Sequence, residues 1–208
     1  MVERGDRRSE QKRREILNAA RTLFASEGYA DTGMEVVARM ASVSTATLYA
    51  HFPSKADLFR AVVVSLVSDA ADGIYRGAPD GDARARLLAF AKAYGNFCNH
   101  SGTRAVLRMA CAERRRFEDS GMQVEDRSRR EIGGAAISII SQLAETGQLM
   151  VEKPAWAAGQ LLGMIEHSTL LYGLVNGDGA HTQRSLDDIC EDAVTTFLAR
   201  YGVRETAG

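Results

Sequence analysis

SVSTATLYAHFPSKADLF, residues 42–59, sets hydroxyl side chains, a tyrosine, a histidine and a lysine around a few apolar positions. Ser44 reads as the N-cap of a helix, because a serine hydroxyl at that place accepts from an amide of the first turn. Pro53 stops the helix, having no amide to continue it. Between them Leu48 and Phe52 stand one turn apart and face inward, which leaves Thr45, Thr47, Tyr49 and His51 pointing elsewhere. A two-turn helix does not persist alone in water. It needs neighbours to hold it, and a polar face held rigidly by neighbours serves recognition.

The neighbours are legible on both sides. Ile16, Leu17, Ala20, Leu23 and Phe24 form one apolar stripe, a first helix with a stop at Glu27-Gly28. Thr32-Gly-Met-Glu35 reads as a capping box, with Val36, Val37 and Met40 as the short helix behind it. Ser54-Lys-Ala-Asp57 is a second cap pattern, opening a longer helix whose apolar face is Phe59, Val62, Val63, Leu66 and Val67. Two short helices joined by the turn Ser42-Val43-Ser44 make a helix-turn-helix, whose second helix enters the DNA major groove.

Composition fits one or two ordinary globular domains: 208 residues, 45% apolar and 25% charged. No long uncharged apolar run and no secretory signal pattern occur, so a cytoplasmic protein is expected. Cys98, Cys111 and Cys190 have no pairing or C-x-x-C spacing and read as small buried hydrophobes. The net charge of −1 gives no bulk attraction to nucleic acid. Residues 1–60, however, hold ten basic side chains against eight acidic ones, and six of the ten lie in the first 14 positions. Arg7, Arg8, Lys12, Arg13 and Arg14 of that arm suit phosphate.

Residues 10–60 resemble the DNA-binding domain of the TetR (tetracycline-repressor-like) transcriptional regulators. The resemblance rests on "AARTLFASEGY" of the first helix, the Thr32 start of the second, the turn and third helix "A-x-V-S-x-x-T-L-Y-x-H-F", and "P-S-K-x-x-L-F" opening the fourth. It implies an all-α chain of about nine helices: a helix-turn-helix DNA-binding domain over 10–70 and a larger effector-binding and dimerisation domain over 71–208. It implies that Thr45, Ala46, Thr47, Tyr49 and His51, on the helix capped by Ser44, approach the major groove, and that Thr32 and Lys55 clamp the DNA backbone. The partners implied are a pseudo-palindromic operator duplex, a second copy of the chain and a small, mostly apolar effector, with repression as the commoner mode and no cofactor. One departure stands out: the turn position often held by Gly is Ser42, where a left-handed backbone would cost serine what it spares glycine, so the turn is expected to be either slightly different or slightly strained.

Beyond residue 70 the apolar periodicity marks further helices and no strand. Phe90, Tyr94, Phe97, Met109, Phe117, Met122, Met164 and His167 form a soft apolar set with a few polar handles, suited to the effector. Trp156, Gln160, Gly163 and Leu171, with Ile189, Ala193 and Phe197, are the expected dimer interface, since Ala157, Ala158, Gly159 and Gly163 permit close helix approach. The basic run Arg114–Arg116 is flanked by acids and reads as a solvated or interface face. Catalytic motifs are absent from the sequence, so no enzyme is expected. The alternatives are a regulator of the same fold that responds to a metal through Cys98, His100 and Cys111 or to redox state through one of the three cysteines, or a helical interaction protein without a DNA role.

Overall fold

The computed structural model describes residues 2–76, 81–113, 129–177 and 183–203. Among them, with each π turn joined to the α-helix it continues into, nine helices follow one another, and the sole β contact is an isolated bridge between Leu149 and Gly202. They are α1 (Val2–Asp31), α2 (Met34–Met40), α3 (Thr45–His51), α4 (Lys55–Arg76), α5 (Ala83–Asn99) and α6 (Ser101–Ala112). Then come α7, a π turn Arg129–Gly133 running into Gly134–Glu145, α8, and α9 (Leu186–Tyr201). Helix α8 runs from Pro154–Glu166 through a π turn, His167–Leu171, to Tyr172–Asn176. None of these is long and apolar enough to cross a membrane.

The chain divides into two units. One holds the residues up to Leu66 and those of α6 from Ala105 onward; the other holds Val67–Arg104 and the described residues from 129 on. The chain therefore passes between the units inside α4 and again inside α6.

In the first unit the stripe expected on α1 is buried: Ile16, Leu17, Ala20, Leu23 and Phe24 all lie in the core. The stop expected at Glu27-Gly28 is a break in α1, where Gly28 takes φ 84° and ψ 170°. Past that break Tyr29 folds back between Phe24 and Phe59. The Phe24–Phe59 and Tyr29–Phe59 ring centroids are 5.1 and 5.3 Å apart, both edge to face, the arrangement the aromatic quadrupoles favour. This cluster joins the end of α1 to the first turns of α4.

In the second unit the stripes Leu87, Phe90, Tyr94 of α5 and Ile132, Ala136, Ile139, Ile140, Leu143 of α7 are buried in one core with Ala157, Leu161 and Ile165 of α8 and Cys190, Val194 and Phe197 of α9. Helices α5 and α9 come closest at Gly95, where an added Cβ would stand 2.8 Å from Leu186 Cδ1 and 3.2 Å from Cys190 Sγ. Glycine is there for lack of room.

Candidate nucleic-acid interface

Helix α3 spans Thr45–His51, the range the sequence predicts. Ser44 caps it: its hydroxyl accepts from the Thr47 amide at 3.1 Å and lies 2.8 Å from the Thr47 hydroxyl. Leu48 is fully buried and Phe52 nearly so, which fixes the helix by its inner side. Thr45, Ala46 and Tyr49 are exposed and Thr47 and His51 half-buried, so the polar face is presented outward. The Arg13 guanidinium lies 5.5 Å from the Phe52 ring, bringing one member of the basic arm to the foot of α3.

Of the two outcomes expected for the turn before α3, the left-handed one is found. Ser42 takes φ 55°, the one positive φ outside glycine among the described residues. Its amide donates to Arg39 O at 3.1 Å and the Val43 amide to Ala38 O at 3.0 Å. These are the paired bonds of a Schellman motif with Ser42 in the left-handed position where glycine is usual.

Two expected phosphate clamps meet other partners. The capping box over Thr32 and Glu35 does not form: the N-cap of α2 is Gly33, with no side-chain bond. Thr32 is 1% exposed and its hydroxyl donates to Gly28 O at 2.7 Å. The hydroxyl takes the carbonyl four residues back, the local back-bond that Thr22 makes to Asn18 O and Thr146 to Gln142 O as well. The Lys55 ammonium donates to Ala30 O at 2.8 Å and Thr32 O at 2.9 Å and stands 4.8 Å from the Tyr29 ring centroid. The cap expected at Ser54 is present, with its hydroxyl donating to the Asp57 carboxylate at 2.6 Å and accepting from the Asp57 amide at 3.1 Å. That hydrogen bond, with Arg60 beside it, holds the Asp57 carboxyl below the usual range.

The expected effector residues are only partly brought together. Phe90, Tyr94 and Phe97 form a ladder along α5, with successive ring centroids 6.1 and 6.4 Å apart. Met164 packs against the same core, His167 is exposed on the π turn of α8, and Met109 belongs to the other unit. Phe117, Met122 and the Arg114–Arg116 run lie outside the described residues.

Sequence reasoning missed the polar partners of that ladder. The Tyr94 hydroxyl donates to the carboxylate of Glu166, the residue just before the π turn of α8. Burial pushes the Tyr94 phenol well above its ordinary range and the Cys98 thiol up to about 12. Arg104, 5% exposed, donates to Asn99 Oδ1 at 2.9 Å and lies against Gly173, where a Cβ would meet its Cδ at 2.6 Å. The available signal was a lone Glu inside the apolar run LLGMIEHSTLL.

The expected dimer residues divide by helix. On α8, Trp156 is 69% and Leu171 49% exposed, and Gln160 and Gly163 are exposed beside them. On α9 the expectation needs correcting: Ile189, Ala193 and Phe197 are buried, Ala193 and Phe197 in the core shared with α5. An apolar stripe demands a partner, and here the partner is α5 of the same chain. No cluster of three or more metal-ligating side chains occurs among the described residues. Cys98 and Cys190 are buried, and Cys111 is exposed.

Residues 16–62 match the family described as bacterial regulatory proteins, tetR family, and residues 85–203 match the C-terminal domain of AefR-like transcriptional repressors. The chain is 36% identical over 99 residues to the HTH-type transcriptional activator FasR of Mycolicibacterium smegmatis, covering 47% of this chain and 45% of that protein. To the HTH-type transcriptional regulator UidR of Escherichia coli it is 38% identical over 52 residues, 25% of this chain and 26% of that one. It thus spans less than half the length of these curated relatives. A TetR-family transcriptional regulator from Mesorhizobium loti has a similar structure, with TM-score 0.85, 28% identity and coverage of 94% of this chain and 99% of that one. The flavonoid-responsive regulator FrrA follows with TM-score 0.68, 26% identity and coverage of 94% and 100%.

Proposed function

The chain belongs to the TetR family of helix-turn-helix transcriptional regulators, and from that premise we propose that it is a cytoplasmic repressor, not an enzyme, released from a pseudo-palindromic operator by a small, mostly apolar effector. The observation that carries the DNA reading is α3 itself, a capped two-turn helix anchored by Leu48 with Thr45, Ala46 and Tyr49 turned outward. Hydroxyls suit phosphate oxygens and polar base edges, and the Ala46 methyl suits a thymine methyl. Ser44 and Thr47 hold each other and shape the start of the helix, while His51 supplies a ring donor at its end. Repression is supported by the description of the C-terminal family; FasR, named an activator, is the counter-example that a reporter assay must address.

Dimerisation through α8 is supported by its outward stripe of Trp156, Leu171, Tyr172 and Val175, with exposed Gly159 and Gly163 permitting close approach. The two copies of α3 would then read half-sites about 34 Å apart. For the effector, the ladder Phe90, Tyr94, Phe97 offers flat apolar faces and the Tyr94–Glu166 pair a polar handle. FrrA is described as flavonoid-responsive, so planar aromatic compounds belong in the first ligand panel. A redox reading fits poorly with two buried thiols whose pKa values are pushed up, since the thiolate is the reactive form.

Selection of duplexes from a random-sequence pool by the full chain, followed by footprinting, tests the reading. A two-fold symmetric footprint lost in Tyr49→Ala or Thr45→Ala is expected. Enrichment of no sequence, or a footprint indifferent to α3, refutes it.

A further inference from the structure

The face that α3 turns outward lacks the side chains that read bases most sharply. Thr45, Ala46, Tyr49 and Ala50 are exposed, in two rungs four residues apart on one side of the helix, with Leu48 buried on the other. Arginine or lysine reads guanine, asparagine or glutamine reads adenine, and a carboxylate reads cytosine. The sequence TATLYAH of α3 holds none of these. A hydroxyl both donates and accepts, so Thr45 and Tyr49 suit either kind of base edge and discriminate little between them.

What such a face can discriminate is a methyl group. Thymine alone among the four bases presents one in the major groove, at C5. Ala46 and Ala50 stand one turn apart, with Cβ atoms about 5–6 Å from each other, near the rise of two base-pair steps, about 6.8 Å. Methyl groups touch only when their carbons come within about 4–4.5 Å, and side chains this short let the α3 backbone approach the base edges that closely. The surroundings of the helix agree. Met40 at the end of α2 and Tyr49 on α3, 50% and 44% exposed, are the exposed large apolar side chains of this unit among the described residues. The apolar surface that the unit leaves in water thus lies on its helix-turn-helix. Arg39 is exposed on α2, the helix that crosses the DNA backbone, and not on the one that enters the groove.

We infer that α3 reads C5-methyl groups: Ala46 and Ala50 contact the methyls of thymines in each half-site, and 5-methylcytosine is accepted where thymine is read. The inference rests on α3 as the DNA-facing helix and deepens that reading by naming what is read and by adding Ala50 to the residues that read it. Enzymatic C5 methylation of a cytosine at such a position then raises occupancy of the site with no effector involved.

Deoxyuridine differs from thymidine by the methyl alone and keeps the hydrogen-bonding edge of the base. In the duplex that the full wild-type chain enriches from a random-sequence pool, thymine is replaced by uracil at one symmetric pair of positions at a time. At one or two such pairs affinity is expected to fall on the order of tenfold, from about fourfold for the methyl lost in each half-site. With cytosine at a sensitive pair, 5-methylation is expected to raise affinity by about the same factor. In Ala46→Gly and Ala50→Gly the uracil penalty is expected to disappear at the thymine each residue reads, because the two changes remove the same contact. Uracil tolerated within about twofold at every thymine of the site overturns the inference, since a buried methyl contributes more than that. So does 5-methylcytosine bound no better than cytosine, or a uracil penalty undiminished in both variants. Should a variant fail to fold, the uracil and 5-methylcytosine titrations of the wild-type chain decide alone. Enrichment of no sequence refutes the DNA reading and the inference with it, whereas an enriched site indifferent to uracil refutes the inference only.

Discussion

Replacing Ser42 by glycine is expected to stabilise the protein although it removes atoms and adds no contact. The magnitude follows from the turn. A left-handed backbone brings the Cβ of an L-residue against its own carbonyl at about 1–2 kcal/mol, and Ser42 sits there at φ 55°. Glycine removes that strain but gains freedom in the unfolded chain, returning about 0.4–1 kcal/mol. The net gain is about 0.5–1 kcal/mol, or about 1–4 °C in Tm for a chain of this size. The protein carries its own control. At the end of α7 the Gly147 amide donates to Ala144 O at 3.0 Å and the Gln148 amide to Leu143 O at 2.8 Å, the same motif with glycine at φ 72°. No atom lies within 4 Å of a Cβ built on Gly147, so Gly147→Ser isolates the backbone effect and should lose about what Ser42→Gly gains. Urea unfolding followed by circular dichroism measures both, with the shift falling on each unit's own transition if the two separate. Ser42→Gly lowering the midpoint, or Gly147→Ser leaving it unmoved, refutes the reasoning.

Tyr49→Phe should weaken binding to the selected duplex by about 1–3 kcal/mol with an unchanged melting curve; equal affinities would remove the Tyr49 hydroxyl from the interface. Gly95→Ala should destabilise by about 1–3 kcal/mol through overpacking, because α9 already stands against that site; a neutral result in thermal unfolding would mean α5 and α9 separate freely. Iodoacetamide at neutral pH should label Cys111 in the native protein and spare Cys98 and Cys190, and mass spectrometry showing modification of a buried thiol would revive the redox reading. Burial raises the folded-state pKa of Cys98 to about 12 and of Cys190 to about 11. A raised acid pKa means that the folded chain holds protons the unfolded chain releases. Stability from these thiols is therefore complete below pH 9 and lost as pH rises toward 11 and 12. Urea midpoints that stayed level across that window would contradict their burial.

What could be read in the sequence divides along a physical line. Helix α3 was legible to the residue because both its signals are local: the Ser44 hydroxyl caps its own first turn and Pro53 ends the helix two residues past His51. The strain at Ser42 was legible for the same reason, being a property of one residue's backbone. The Thr32 capping box misled because its hydroxyl had two acceptable partners, an amide ahead in α2 and the carbonyl four residues behind at Gly28, and it takes the second. At Lys55 the sequence leaves a similar choice open, since a cation near a helix start suits a phosphate and an open carbonyl equally, and without DNA the carbonyls of Ala30 and Thr32 hold it.

The C-terminal helices show the limit of periodicity. A stripe of apolar residues states that one face of a helix must be covered; it does not state by what. Ile189, Ala193 and Phe197 carry such a stripe, and it turns inward, Ala193 and Phe197 into a core to which α5 contributes. Helix α8 differs because its apolar residues surround it: Ala157, Leu161 and Ile165 face inward while Trp156, Leu171 and Val175 remain outside. The π turn at His167–Leu171 widens the helix by one residue and shifts the phase of everything after it. A regular 3.6-residue wheel therefore misplaces Leu171 and Val175 relative to Trp156. With the α9 stripe occupied inside its own chain, the proposed dimer seam draws its large exposed apolar residues from α8. Trp156→Glu should therefore abolish the dimer in sedimentation, whereas Phe197→Ala should unfold the second unit before it affects assembly. The reverse pattern, a folded monomer from Phe197→Ala and an intact dimer from Trp156→Glu, would move the seam to α9.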